Sequence, residues 1–185
     1  MLPGVAAAQD ACQQLLPAGL YNGNISAVMT IRAYAEGQLV QEFTYNDTAT
    51  LSLNIACAVS GGSAHWNIHR TLMFYPGQPP VVCDYVVDYS QATGNVVTGT
   101  NGQPRIDVRW GQGAVGANDC TDAGSAPPAT WQFSLGSPPG GTTISGDFRI
   151  LYDDPDGMDY EQLAQMFRDQ GFEVTLTKGW TLTRE

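Results

Sequence analysis

The chain has 185 residues, 18 of them acidic and 8 basic, and a formal net charge of -10. Its length suits one domain able to bury a sizeable core, and 43% hydrophobic content excludes a disordered tail. An isoelectric point near 4.3 argues against partners held by phosphate neutralisation, so neither nucleic acid nor an anionic membrane surface is expected.

Residues 1–18 read as an N-terminal segment. Ala6-Ala7-Ala8-Gln9 resembles the small-residue cleavage region of a secretory signal whose apolar stretch is missing, or else the start of a helix over Ala6 to Leu16 that Pro17 and Gly19 end. Cys12 lacks the apolar and small residues expected before a lipid-modified cysteine. No run of 18 apolar residues occurs, so no transmembrane segment is expected. Cys12, Cys57, Cys83 and Cys120 lie far apart, without the close paired spacing of zinc sites. An even count beside an export signal favours two disulfides of open pairing and an extracellular or periplasmic location.

Residues 19–185 read as one antiparallel β domain. Ile25, Ala27, Met29 and Ile31 alternate with polar residues, which is the period of a half-buried strand. After the Glu36-Gly37 turn, Leu39 to Tyr45 and then Leu51, Leu53, Ile55 and Cys57 continue the pattern. Trp66, Ile68, Leu72 and Phe74 form another strand, then Val81, Cys83, Tyr85, Val87 and Tyr89. Asn101-Gly102 predicts a two-residue hairpin returning through Ile106, Val108 and Trp110. Further strands carry Trp131, Phe133 and Leu135, then Ile144, Phe148, Ile150 and Tyr152. A helix is predicted over 159–170, with Asp159 and Gln162 as a capping box and Gly171 as its stop. Phe172, Val174 and Leu176 lead to a turn at Lys178-Gly179, and Trp180 and Leu182 finish the sheet.

Strand parity also sorts the charges. Arg32, Asp84, Asp88, Arg105, Asp107, Arg109, Asp147 and Arg149 fall opposite the apolar faces of their strands. Arg70 shares the parity of Trp66 and Ile68, so its guanidinium points inward and must meet a protein carboxylate or an anionic ligand, unless a bulge or a place at the barrel rim exposes it. All four tryptophans lie on inward parity, favouring a core or cavity over an exposed sugar platform.

Few motifs carry chemistry. Gly111 to Gly116 has dinucleotide-fingerprint spacing, but no helix follows, so a disulfide-pinned surface loop is expected. His65 and His69 fall on outward parity about 13 Å apart along an extended strand, too far for one ion without other ligands. No Gly-x-Ser-x-Gly elbow occurs, and paired carboxylates are legible only in a fold. The sole lysine, Lys178, is expected in its turn. Asp153, Asp154 and Asp156 could ligate calcium, the competing reading being helix N-terminal capping; no other cofactor is indicated.

The expected class is all-β, a mainly antiparallel barrel or sandwich of about ten strands with one short helix near the C-terminus. The layout is similar at fold level to lipocalin-type small barrels. That resemblance implies a non-catalytic module holding a small apolar or amphipathic ligand inside, with Arg70, Tyr85, Tyr89 and Trp66 as contacts. The alternative is an extracellular domain with a solid core that meets a protein or glycan surface, its exposed strip including Tyr34, Tyr75 and Val86. A secreted hydrolase is the weaker third.

Overall fold

The computed structural model describes residues 16–73, 77–99, 102–118, 126–136, 141–153 and 158–185. Three long strands come first: β1 (Gly19–Ala35), β2 (Gln38–Ala56) and β3 (Ala58–Met73). Shorter ones follow: β4 (Val81–Ser90), β5 (Thr93–Thr98), β6 (Pro104–Trp110), β7 (Ala114–Asn118), β8 (Ala129–Leu135) and β9 (Thr143–Tyr152). The helix α1 (Tyr160–Asp169) and the strand β10 (Glu173–Arg184) complete the fold. The expected antiparallel class, ten strands and late helix are all present.

Local chemistry explains the sharpest corners. Glu36 and Gly37 both take positive φ, 52° and 78°, between the paired residues Ala35 and Gln38, which makes the tight turn whose twist matches a hairpin. Asp159 caps α1 by accepting from the Gln162 amide, while the Gln162 side chain accepts from the Asp159 amide, as the sequence predicts. The β5–β6 connection differs from expectation. Thr98 pairs with Pro104, the Gly99 amide donates to the Gln103 carbonyl and the Gly102 amide to the Gly99 carbonyl, with Gly102 at φ 77°, so Gly99 and not residue 100 stands opposite Gln103; Asn101 lies outside the described residues. A second difference is β7, which pairs with β4 where a surface loop was expected.

Eight strands form a ring in the order β2, β1, β10, β9, β8, β6, β5, β3, closed by the β2–β3 hairpin. Closure is uneven. One edge of β3 stays with β2, but its other edge is shared: Ala58 and Val59 pair with β5, whereas Ser63 to Leu72 pair with β4. The ring is thus sealed here by two residue pairs, and β4 carries β7 away as a flap. Gly94 makes this seal feasible, because a Cβ there would lie 1.8 Å from the Asp107 carbonyl oxygen of β6.

The second loose seam lies between β9 and β10, which pair only from Gly146↔Trp180 to Thr143↔Thr183. Beyond that point side chains replace the ladder. Trp180 Nε1 donates to the Asp147 carbonyl at 2.8 Å, and Lys178 Nζ donates to the Phe148 carbonyl at 2.5 Å. The expectation for Lys178 is therefore corrected: it belongs to β10, its side chain is 7% exposed, and it also meets Asp147 and Glu161. Lys178-Gly179 reads as a turn locally, but unbroken pairing with Ala27 and Ser26 of β1 holds it extended. The helix covers this seam, tied by Glu161 to Lys178 and by Asp159 to Arg149.

The inward faces meet in a filled interior. Trp131 lies at its centre, 5.4 Å between ring centroids from Trp66 and from Trp110, 5.5 Å from Tyr89 and 6.4 Å from Phe133. Trp180 extends the stack from Phe133. All four tryptophans are buried, as parity predicts. A smaller cluster of Met29, Ile31 and Ala164 seats the helix. Cys57 and Cys83 are both disulfide-bonded. Thirteen positions of β3 separate their levels, about 40 Å of strand, far beyond the reach of one bridge, so they are not joined to each other. Cys12, Cys120 and the predicted N-terminal helix, apart from Leu16, lie outside the described residues. Among the described residues, no helix is long and apolar enough to cross a membrane.

Candidate functional site

Two regions gather the chain's chemistry: the barrel mouth beneath α1 and the outer face of the long strands. At the mouth Arg70 points inward, and Asp47 of β2 is its acceptor, with Nη2 to Oδ2 at 2.9 Å. The guanidinium carbon sits 4.1 Å from the centroid of the Tyr45 ring. Asp47 is 1% exposed and also accepts from the Tyr160 hydroxyl of α1. Burial pushes the Asp47 carboxyl above the usual carboxylate range, with Arg70 pulling the other way. Burial likewise raises the Tyr89 hydroxyl, to about 12, and lifts those of Tyr45, Tyr152 and Tyr160, so these phenols stay neutral at physiological pH.

Space at this mouth is small. The crevice lined by Tyr45, Arg70, Tyr152, Met158, Tyr160 and Leu163 has a volume of about 70 Å³. Enclosed small-molecule sites begin at about 300 Å³. Deeper in, the gap between Asp47, Trp66, Trp131 and Tyr160 has no room for a water molecule. Of the residues expected to contact a ligand, Arg70 faces its protein carboxylate, Tyr85 is partly buried against the core, and Tyr89 and Trp66 stack on Trp131. They do not line a chamber. Sequence reasoning missed Asp47, although it shares the inward parity of Leu51 and Leu53; the alternation supplied both halves of the ion pair.

The outer face has a different character. The registers of β10, β1, β2, β3 and β4 align five cross-strand rows of five residues. One end row is Thr183, Asn22, Ser52, Ser63, Ser90, and the next is Thr181, Asn24, Thr50, His65, Asp88. The middle row is Gly179, Ser26, Thr48, Asn67, Val86. Then come Thr177, Val28, Asn46, His69, Asp84 and finally Thr175, Thr30, Thr44, Thr71, Val82. None of these positions is buried, and none is lysine, arginine or glutamate. Threonine, serine and asparagine dominate.

Both histidines stand on this face, as expected, each held by a carboxylate of β4. His65 Nδ1 is 2.7 Å from Asp88 Oδ1 and His69 Nδ1 is 2.5 Å from Asp84 Oδ1. With Nδ1 donating, Nε2 becomes an acceptor, and at His69 it takes the Thr71 hydroxyl at 3.2 Å. This Asp84–His69–Thr71 chain has the atoms of a proton relay and stands half-exposed on an open sheet, where water reaches it. Two shallow hollows open on the same side. One, about 470 Å³, lies among Asn24, Ser26, Ser145, Gly146, Gly179 and Thr181; the other, about 330 Å³, lies among Thr50, Ser52, Ser63, His65 and Asp88.

The remaining candidates do not converge. Asp153 is exposed and meets Arg109 at 3.4 Å, while Asp154 and Asp156 lie outside the described residues, as does Tyr75. Among the described residues, no group of three or more histidine, cysteine, aspartate or glutamate side chains is placed to hold a metal ion. Tyr34 is exposed at the β1–β2 hairpin, and Val86 stands half-buried within the polar rows. No protein-family model matches the chain, and no curated protein or solved structure matches it.

Proposed function

We propose that this chain is a non-catalytic surface-interaction domain of an extracellular or periplasmic protein, acting through the outer face of β10, β1, β2, β3 and β4. The observation that carries this reading is the filled interior: indole and phenyl rings pack against Trp131, and the crevice at Arg70 offers only about 70 Å³. A barrel without a chamber leaves its surface as the place to meet a partner. The two disulfide-bonded cysteines, Cys57 and Cys83, support an oxidising compartment. The competing reading, an amphipathic small molecule held at the mouth, draws support from Arg70, whose guanidinium lines the crevice.

Native mass spectrometry separates the two. The purified protein is expected to show the same mass before and after extraction with organic solvent, because nothing is stored inside. A mass of small-molecule size lost on extraction, and regained on adding back the extract, overturns the surface reading in favour of the mouth.

A further inference from the structure

We infer that the outer face recognises a neutral glycan, with the hollows at Ser26 and Ser63 as its sugar-contacting sites. This inference rests on the surface-interaction reading and names its partner. The five rows hold no lysine or arginine, and Arg32 in the row beyond them is paired with Glu42 at 2.7 Å beside Glu173, so sulfated or phosphorylated polymers find no unpaired cation there; the two aspartates of the rows are engaged by His65 and His69.

A protein partner fits poorly as well. The centres of protein interfaces are enriched in tyrosine, tryptophan, methionine and arginine, whereas these five rows offer three separated valines and no tyrosine, tryptophan or phenylalanine. What it does offer is a lattice of hydroxyl and amide groups that donate and accept, with strands about 4.8 Å apart. Sugar hydroxyls also donate and accept, so each contact can satisfy both sides.

Ordering such a face costs little. Immobilising a lysine, arginine or glutamate takes up to about 2 kcal/mol of rotamer entropy, and threonine in a strand is already restricted at χ1. The hollows add shape: at one, Gly146 and Gly179 leave the sheet bare of side chains, and at the other His65 is oriented by Asp88, its Nε2 without a partner among the described residues. All four tryptophans are buried, so binding proceeds through hydrogen bonds without ring stacking, and a repeating polymer that engages both hollows gains by avidity.

The test measures retention of the full chain on surfaces coated with neutral polysaccharides (cellulose, xylan, mannan, β-glucan), with a sulfated polysaccharide, or with collagen. Ser26→Trp and Ser63→Trp fill the hollows, and Thr50→Lys places a long charged side chain between them; unchanged melting temperatures show that the variants fold. The expected result is retention on at least one neutral polysaccharide, insensitive to salt and reduced about ten-fold or more by each variant. Retention only on the sulfated or collagen surface, still lost in these variants, overturns the glycan while the surface reading stands. No retention anywhere, or retention that ignores all three variants, overturns both.

Discussion

Arg70→Ala is expected to destabilise the fold by about 3–5 kcal/mol, read as a lower urea midpoint at unchanged slope. The figure comes from what the variant leaves behind. Asp47 is 1% exposed, and its Oδ1 lacks a hydrogen-bond partner among the described residues, so removing Arg70 leaves a buried carboxylate with the Tyr160 hydroxyl and the His69 backbone but no cation against it. The stack on Tyr45 goes too. Arg70 itself keeps 19% of its side chain exposed, which places the outcome toward the lower end of the range. Replacing both partners, Asp47→Leu with Arg70→Met, is expected to recover most of the loss, because two apolar side chains need no compensation there. A single variant that costs under about 1 kcal/mol would show that Asp47 is not relying on Arg70.

The same pair sets a pH dependence. The Asp47 carboxyl is raised in the fold, so the folded chain binds this proton more tightly than the unfolded chain. Its contribution is fully present below the ordinary aspartate pKa, about 3.9, and is lost as pH rises through the higher folded value. Measured against Asp47→Asn, which does not titrate, the parent chain should lose relative stability as pH rises from about 4. In Arg70→Ala the downward pull of the guanidinium is gone, so the loss should extend to higher pH. A stability difference independent of pH would mean that Asp47 does not titrate across this range.

Alternation made most of this architecture legible. Once Ile25, Leu51, Trp66 and Trp180 are placed inward by period two, the burial of the tryptophans, the inward Arg70 and the outward histidines follow without any knowledge of strand order. What escaped has identifiable causes. Lys178-Gly179 carries turn chemistry, and only the pairing with β1, more than 150 residues away in sequence, keeps it extended. Gly113 to Asn118 has too little periodicity to announce β7, which exists because β4 leaves an edge to cover. The size of the interior was also hidden, since inward parity says that rings point in but not whether they touch. The polar face was legible residue by residue yet not as a surface, because its rows appear only when five registers are known together.

The touching rings predict the second large effect. Trp131→Ala is expected to cost about 3–5 kcal/mol, whereas Trp131→Phe should cost far less than its loss of area suggests. Trp131 is fully buried against Trp66, Tyr89, Trp110 and Phe133, so alanine removes the centre of the stack and leaves walls that cannot collapse around β3, β6 and β8 at once. Phenylalanine keeps the edge-to-face contacts and deletes an indole N–H that has no acceptor among the described residues, whose desolvation already costs about 1–3 kcal/mol. Chemical denaturation of the two variants gives both numbers. The cavity in Trp131→Ala would be apolar and of a size to admit benzene, as emptied protein cores do. Benzene should therefore raise the melting temperature of Trp131→Ala and leave that of the parent chain unchanged. Equal stabilisation of both would reveal interior space in the parent chain and return the function to the inside of the barrel.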